Sequence, residues 1–452
     1  MSPSPFTIRG VIEGFYGRPW THQQRLELID FIGQRGMNTF MYGPKDDPLV
    51  RRDWRLAYDG ATQARLLELV DRCRSSGMEL AWCVSPGLSI RYSDEADLSA
   101  LIAKIATVAT LGVTTFGLLL DDIPRTLQHA QDQATFPDLV AAHVHVVQRV
   151  FAQLAPGNRL IVCPTVYWGT GTEPYLADLA DGIDPRIGIF WTGPAICSAT
   201  LALADAEVFA ATTHRAVTYW DNYPVNDVAM TYELHIGPYR GRDPLLWQAA
   251  DGIVANAMES FESSLIPIAT IADYLRAPEA YEPEESWYRA MHDVVGEADL
   301  DAFALFADNV RGSCLSTDDA PTVSHALESF LFRVDQGDDT AAAGDLAALA
   351  DRLLDAAAHL LRGPVVNRAL MDEVRPWLVA FELGAQAMRA IADLAAAGTL
   401  RTDASGVLRP YLIRLRRARV RVFGDALEMT LSDLSGTMFR PGEVPEIEGG
   451  DT

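Results

Sequence analysis

Over the first 280 residues, short β-branched or aromatic runs alternate with longer stretches of helical periodicity. The strand-like runs begin near Phe6 (FTIRGVI), Met37 (MNTFMY), Met78 (MELAWCV) and Thr114 (TTFGLLL). Four more begin near Arg159 (RLIVCPT), Ile187 (IGIFWT), Ala216 (AVTYW) and Gly252 (GIVANA). Helical patterns cover 21–35, 61–76, 94–111, 134–154, 173–181 and 196–210, and another follows the eighth run at 265–276. Eight such units in about 275 residues predict a (β/α)8 barrel of the TIM type, an α/β fold. A doubly wound open sheet would also alternate, but eight units at this length favour closure. Residues 228–250 are less regular and read as a loop with a short helix.

Beyond residue 285 the strand pattern stops. Amphipathic, alanine-rich segments at 297–310, 320–335, 339–361, 367–397 and 408–434 predict an all-α helical bundle. Breaks are expected at Gly363-Pro364, Gly398 and Gly406, and Pro278–Glu285 (PEAYEPEE) reads as a linker. The expected organisation is a barrel domain over 1–284, a helical bundle over 285–440 and a disordered tail over 441–452.

Composition narrows the function classes. The 452 residues are 49% hydrophobic and 22% charged, which suits a soluble protein with a large core. A net charge of −24 argues against nucleic acid as a partner. Lys45 and Lys104 are the two lysines; the other basic residues are arginine. The local basic run Arg414–Arg421 reads first as a helix face paired with acidic neighbours. Five scattered cysteines with no C-x-x-C spacing do not suggest a disulfide framework or a zinc site. His143 and His145 are two apart on a helix and do not share a face. Neither H-E-x-x-H nor a phosphate-binding glycine loop occurs. With no signal-like N-terminus and no membrane-spanning apolar run, a cytoplasmic location without membrane association is expected.

In a barrel of this kind, functional groups collect at the carboxyl ends of the strands. Here those ends carry Glu13–Trp20, Pro44–Asp47, Asp121-Asp122, Pro164–Trp168, Trp191–Pro194, Trp220–Asn222 with Asn226-Asp227, and Asn256. An aromatic, carboxylate-rich mouth suits carbohydrate: flat rings pack on sugar faces, and carboxylates and amides pair with hydroxyls. Asp121-Asp122 is the sharpest feature, because glycosidases commonly use two carboxylates. Side chains alternate along a strand, so both can serve one substrate only if Asp122 has passed into the loop. The apolar run stops at Leu120, which allows this. The plainer alternative is that Asp122 caps a turn; a metal site would need further oxygen ligands. Lys45 reads either as an exposed loop lysine or as a site residue, and Tyr167 and Trp220 as mouth packing or ligand contacts. Asn222 and Asp227 read as turn residues or ligands. Gly14 and Gly17 shape the turn or let backbone approach a ligand.

Gly10–Trp20 (GVIEGFYGRPW), Tyr42–Asp47 (YGPKDD), Leu120–Ile123 (LDDI) and Trp191–Pro194 (WTGP) resemble glycoside hydrolase family 84. So do Trp220–Asp227 (WDNYPVND) and Gly252–Asn256 (GIVAN). This is the family of O-GlcNAcases and bacterial β-N-acetylglucosaminidases. The likeness covers about residues 6–280, in order; the helical part is compatible with the family's stalk region. Ser89 stands where many members carry aspartate. The resemblance implies a retaining exo-β-N-acetylglucosaminidase working by substrate-assisted catalysis through an oxazoline, acting on GlcNAc glycosides and on O-GlcNAc of Ser or Thr. Asp121 would orient the acetamido N–H, and Asp122 would act as acid and then base. Tyr167 would hold the acetamido carbonyl, and Asn222 would brace that group or Asp121. Gly14 and Lys45 would hold hydroxyls near O3, and Asp227 and Asn256 would bind O4 and O6. Trp220 would wall the N-acetyl pocket. No cofactor or metal is implied. A hyaluronidase-like glycosidase and a non-catalytic GlcNAc-binding protein are the competing readings. A homodimer through the C-terminal helices is expected over a closed monomeric bundle.

Overall fold

A computed structural model of the chain describes residues 4–437. The expected tail at 441–452 lies outside the described residues. Eight strands follow one another: β1 Ile8–Glu13, β2 Thr39–Tyr42, β3 Glu79–Val84, β4 Thr115–Leu119, β5 Arg159–Cys163, β6 Gly188–Trp191, β7 Val217–Asp221 and β8 Ala250–Asn256. They form a closed barrel in sequence order, every neighbouring pair parallel. The expected fold is the observed one. Parallel strands buried on both faces read as continuous apolar runs, which is how TFGLL and VTYWD read, and each is buried throughout. One or two side chains from every strand form a single buried cluster, among them Ile12, Met41, Leu119, Cys163, Phe190, Trp220 and Val254. Closure brings β8 against β1, with Ile12 beside Asn256. A Cβ on Gly252 would lie 1.9 Å from the carbonyl oxygen of Ile8, so only glycine fits this seam.

The helices between the strands are α1 His22–Gln34, α2 Gly60–Ser75, α3 Glu95–Thr110, α4 Ala130–Thr135, α5 Leu139–Phe151, α6 Pro174–Gly182 and α7 Leu203–Thr213, and α8 Phe261–Arg276 follows β8. Side-chain caps fix several starts: Thr21 with Gln24 in a capping box, and Asp59, Asp94 and Asp138. The cap at Asp138 explains one departure from expectation, since it divides the stretch at 134–154 into two helices. Another is the late start of α7. Residues 196–202 are not helical, because Leu201 pairs with Arg242 in a parallel bridge.

The remaining helices are α9 Pro283–Val295, α10 Leu300–Asp308, α11 Pro321–Asp335, α12 Asp339–Arg362, α13 Arg368–Glu373, α14 Arg375–Ala396, α15 Leu400–Ala418 and α16 Ala426–Ser435. The expected linker at 278–285 is instead a 3-10 turn followed by the first residues of α9, whose proline sits where a helix tolerates it. The single helix expected at 367–397 is two, with Pro376 opening the second. Gly406 lies inside α15; the chain breaks later, at Arg419 with φ +54°. There Phe423 turns inward and stacks on Phe381 at 5.4 Å.

The chain forms two compact units. One comprises residues up to Val228 with Tyr239–Phe261 and Ile268–Ser286; the other comprises Ala229–Pro238, Glu262–Pro267 and the chain from Trp287. The first contains the barrel. In the second, α12 and α14 pack along their length and bury Leu346, Leu353, Leu360, Phe381 and Met388. No described helix is long and apolar enough to cross a membrane.

Candidate active site

The ladder between β4 and β5 continues one residue past β4. Leu120 N–H donates to the Cys163 carbonyl at 2.8 Å, and the Leu120 carbonyl accepts from Thr165 Oγ1 at 2.7 Å. Asp121 follows, buried. Asp122 then adopts φ +52°, in the left-handed region that few residues other than glycine enter. The chain has left the strand, and both carboxyl groups meet side chains of the same mouth.

Asp121 Oδ2 forms an ion pair with Lys45, and both side chains are buried. Its Oδ1 is buried and has no hydrogen-bond partner. The Lys45 ammonium also lies 5.4 Å from the Trp220 ring and 5.9 Å from the Tyr16 ring. Asp122 is exposed. Its Oδ1 accepts from the Tyr167 hydroxyl at 2.9 Å and its Oδ2 from the Tyr16 hydroxyl at 2.7 Å. Burial, with the Asp122 charge adding to it, pushes both phenols above their ordinary range, so both remain protonated donors.

A second cluster joins β7, β8 and the turn after β1. Asn222 Oδ1 accepts from Trp220 Nε1 at 2.9 Å and from Asn256 Nδ2 at 3.0 Å. Asn256 Oδ1 accepts from Gly14 N–H at 3.2 Å. A Cβ on Gly14 would lie 2.5 Å from the Trp220 ring, so glycine is what lets this backbone lie against the indole. Asp227 Oδ2 accepts from Tyr16 N–H at 2.7 Å. Burial raises the Asp227 carboxyl above its usual range, and the Asp122 charge adds to the effect. Tyr16 therefore joins the expected residues into one network: its backbone holds Asp227 and its hydroxyl holds Asp122.

Glu13, Asp47 and Asp221, placed at the mouth by sequence, are instead tied into the fold, as are His143 and Ser89, which the sequence set outside it. Glu13 is fully buried and accepts from Arg25 Nε and Nη2 at 2.6 and 2.8 Å and from Trp20 N–H at 2.9 Å. Asp47 accepts from the Tyr42 hydroxyl at 2.6 Å. Asp221 is held by Arg242 and by the Tyr239 hydroxyl. His143 lies buried between the hydroxyls of Tyr92 and Tyr175, at 2.9 and 2.7 Å. Ser89 accepts from Trp54 Nε1 and Arg55 Nη1 at 3.1 and 2.9 Å, bracing the loop after β2. Among the described residues, no cluster of three or more His, Cys, Asp or Glu side chains is arranged to hold a metal ion.

Two residues of the mouth carried no assignment in the sequence. Tyr16 sits inside the EGFYGRPW motif, two positions past Gly14, and that was the available signal. Arg51 donates to the Tyr16 hydroxyl at 2.6 Å; as an ordinary loop arginine it gave none.

A family model described as beta-N-acetylglucosaminidase matches residues 9–308. The proteins named O-GlcNAcase of Rattus norvegicus and Mus musculus are each 33% identical over 274 residues, 59% of this chain and 30% of theirs. The match thus spans less than a third of the length of these curated relatives. A solved structure of a mutant O-GlcNAc hydrolase from Thermobaculum terrenum is 31% identical, with a TM-score of 0.90 over 98% of this chain and 100% of that one. The chain belongs to the beta-N-acetylglucosaminidase family, family 84 of the glycoside hydrolases.

Proposed function

We propose that the protein is a retaining exo-β-N-acetylglucosaminidase that uses the substrate's own acetamido group as nucleophile and removes O-GlcNAc from Ser or Thr of peptides. The observation that carries this is the buried, unpartnered Oδ1 of Asp121 beside the exposed carboxyl of Asp122. A buried acceptor without a donor costs about 1–3 kcal/mol. An acetamido N–H satisfies it, and the nitrogen becomes more positive as the carbonyl oxygen attacks C1. Asp122 gives its proton to the departing oxygen as the C1–O bond breaks. Water then attacks C1 of the oxazoline and passes its proton to Asp122, and β-GlcNAc leaves. Tyr167, whose hydroxyl has one proton and gives it to Asp122 before substrate enters, turns that proton to the acetamido carbonyl when the sugar binds; Trp220 walls the acetamido methyl, and Asn222 braces the pocket. Gly14 and Lys45 contact the hydroxyl at O3, and Asp227 and Asn256 those at O4 and O6. No cofactor enters this scheme.

The test is the first-formed anomer from an aryl β-GlcNAc, followed by NMR. We expect the β-anomer; an α-anomer would sink the oxazoline route, and no turnover would leave a binding protein. We further propose residues 1–284 as the catalytic domain and 285–440 as a stalk-like bundle that pairs two chains. Exposed Phe332, Val366 and Met429 support that pairing. Light scattering at the single-chain mass of 49.5 kDa across micromolar concentrations would overturn it.

A further inference from the structure

An exposed aspartate samples several rotamers unless its oxygens are held. Both oxygens of Asp122 are held, by Tyr16 and Tyr167. The Tyr16 hydroxyl directs its one proton to Asp122, which leaves its lone pairs for other donors. Arg51 Nη1 takes one of them at 2.6 Å. The same guanidinium reaches the main-chain carbonyl of Asp122 through Nη2 at 3.4 Å and lies 5.2 Å from the Tyr16 ring centre. One side chain thus touches both the phenol that holds the carboxyl and the backbone that carries it. That backbone needs holding, since φ +52° is unfavourable for aspartate.

Arg51 itself projects from a fixed loop. Lys104 on α3 donates to the carbonyls of Leu49, Trp54 and Leu56, and Ser85 N–H donates to Val50 at 2.9 Å. In a chain whose basic residues are otherwise arginine, the two lysines lie one in the mouth and one under this loop.

We propose that Arg51 is a positioning residue: through Tyr16 and through the main chain of Asp122, it fixes the Asp122 carboxyl against the oxygen of the departing group. The proposal rests on the reading of Asp122 as acid and base. Arg51 touches two acceptors that face different directions, which suits a planar fork and not a point charge.

The test is steady-state kinetics on a serine-linked β-GlcNAc and on an activated aryl β-GlcNAc. Arg51→Met is expected to lower kcat/KM, which reports the step that forms the oxazoline, ~10-fold or more on the serine-linked sugar, a part of the ~10²–10⁴ that a general acid contributes. On the aryl glycoside kcat/KM falls much less. Arg51→Lys recovers part of the serine-linked rate, and Tyr16→Phe reproduces the selective loss. In the Asp122→Ala background Arg51→Met adds nothing, because it acts through that carboxyl. Equal losses on the two substrates, or a further loss in that background, would overturn the proposal. If Asp122→Ala itself fails to distinguish the two leaving groups, the reading of Asp122 falls and takes Arg51 with it. If Asp122→Ala distinguishes them and Arg51→Met does not, only Arg51 falls.

Discussion

The ends of β7 and β4 look alike in sequence, each an apolar run closing on aspartate. In space they are opposites. Asp221, at the end of β7, is buried and accepts from Arg242 Nε and Nη2 at 2.9 and 2.6 Å and from the Tyr239 hydroxyl. Every face of that carboxylate is answered by the protein's own donors, one of them a buried guanidinium. Past β4, Asp121 has one oxygen on Lys45 and the other buried without a partner. Asp122 is exposed and held by two neutral phenols. A carboxylate whose oxygens are taken by an arginine fork and a phenol is spent on the fold. One that keeps an oxygen back, or stands exposed, is left to meet a ligand.

The largest expected effects come from the β4 pair and sharpen this contrast. In kcat/KM, which reports the step that forms the oxazoline, Asp122→Ala should lose ~10²–10⁴-fold on a serine-linked sugar and much less on an activated aryl glycoside, whose departure needs little protonation; breakdown of the oxazoline, which still lacks its base, then limits kcat on the aryl glycoside. Asp121→Ala should lose heavily on both, because the acetamido group attacks in either case. A plot of log kcat/KM against leaving-group pKa should steepen for Asp122→Ala and less so for Asp121→Ala. Slopes that change the other way round reverse the two roles. If neither variant loses activity, the pair is structural.

The next effect falls on stability. Asp221→Ala leaves the Arg242 charge buried and unpaired, and breaking such a pair typically costs about 3–5 kcal/mol. Urea unfolding should show that loss, while the dependence on leaving group among molecules that remain folded stays as in the parent. A variant that kept its stability yet acquired the steep dependence of Asp122→Ala would break the comparison, placing Asp221 in the chemistry.

This comparison also shows what the sequence could and could not reveal. All eight strands were legible because parallel barrel strands are buried on both faces and leave no polar alternation to obscure them. The polar residues clustering just past those strands pointed to one mouth, and Gly14, Lys45, Asp121, Asp122, Tyr167, Trp220, Asn222, Asp227 and Asn256 all carry side chains or backbone there. What escaped was pairing. Glu13 and Asp221 read as mouth carboxylates because their partners, Arg25 and Arg242, look like any other arginine in an arginine-rich chain. Arg51 was hidden for the same reason: its bond to Tyr16 spans 35 positions and two loops. Residues 196–202 were misread as helix because the bridge from Leu201 to Arg242 is a tertiary contact that no local periodicity signals.

The smallest effect separates two groups that share a surrounding. His143, like Asp122, lies between two tyrosine hydroxyls, Tyr92 and Tyr175, but it is fully buried. Burial holds its imidazole down at about 3, against an ordinary value of 6.5. The unfolded chain takes up a proton near 6.5, whereas the folded chain resists until about pH 3. Between those limits the unfolded state binds more protons, so stability is complete above pH 6.5 and is lost as pH falls. From pH 6.5 to 5 the loss is about 2 kcal/mol, at ~1.4 kcal/mol per pH unit. His143→Gln keeps a donor and an acceptor between the phenols and has no proton to gain. Urea unfolding at pH 7 and pH 5 should therefore show a smaller acid loss in the variant than in the parent, by about that amount. Equal losses would mean that the histidine charges without disturbing the fold. Its two tyrosines would then be as accommodating as those on Asp122, and burial would not be what distinguishes the two sites.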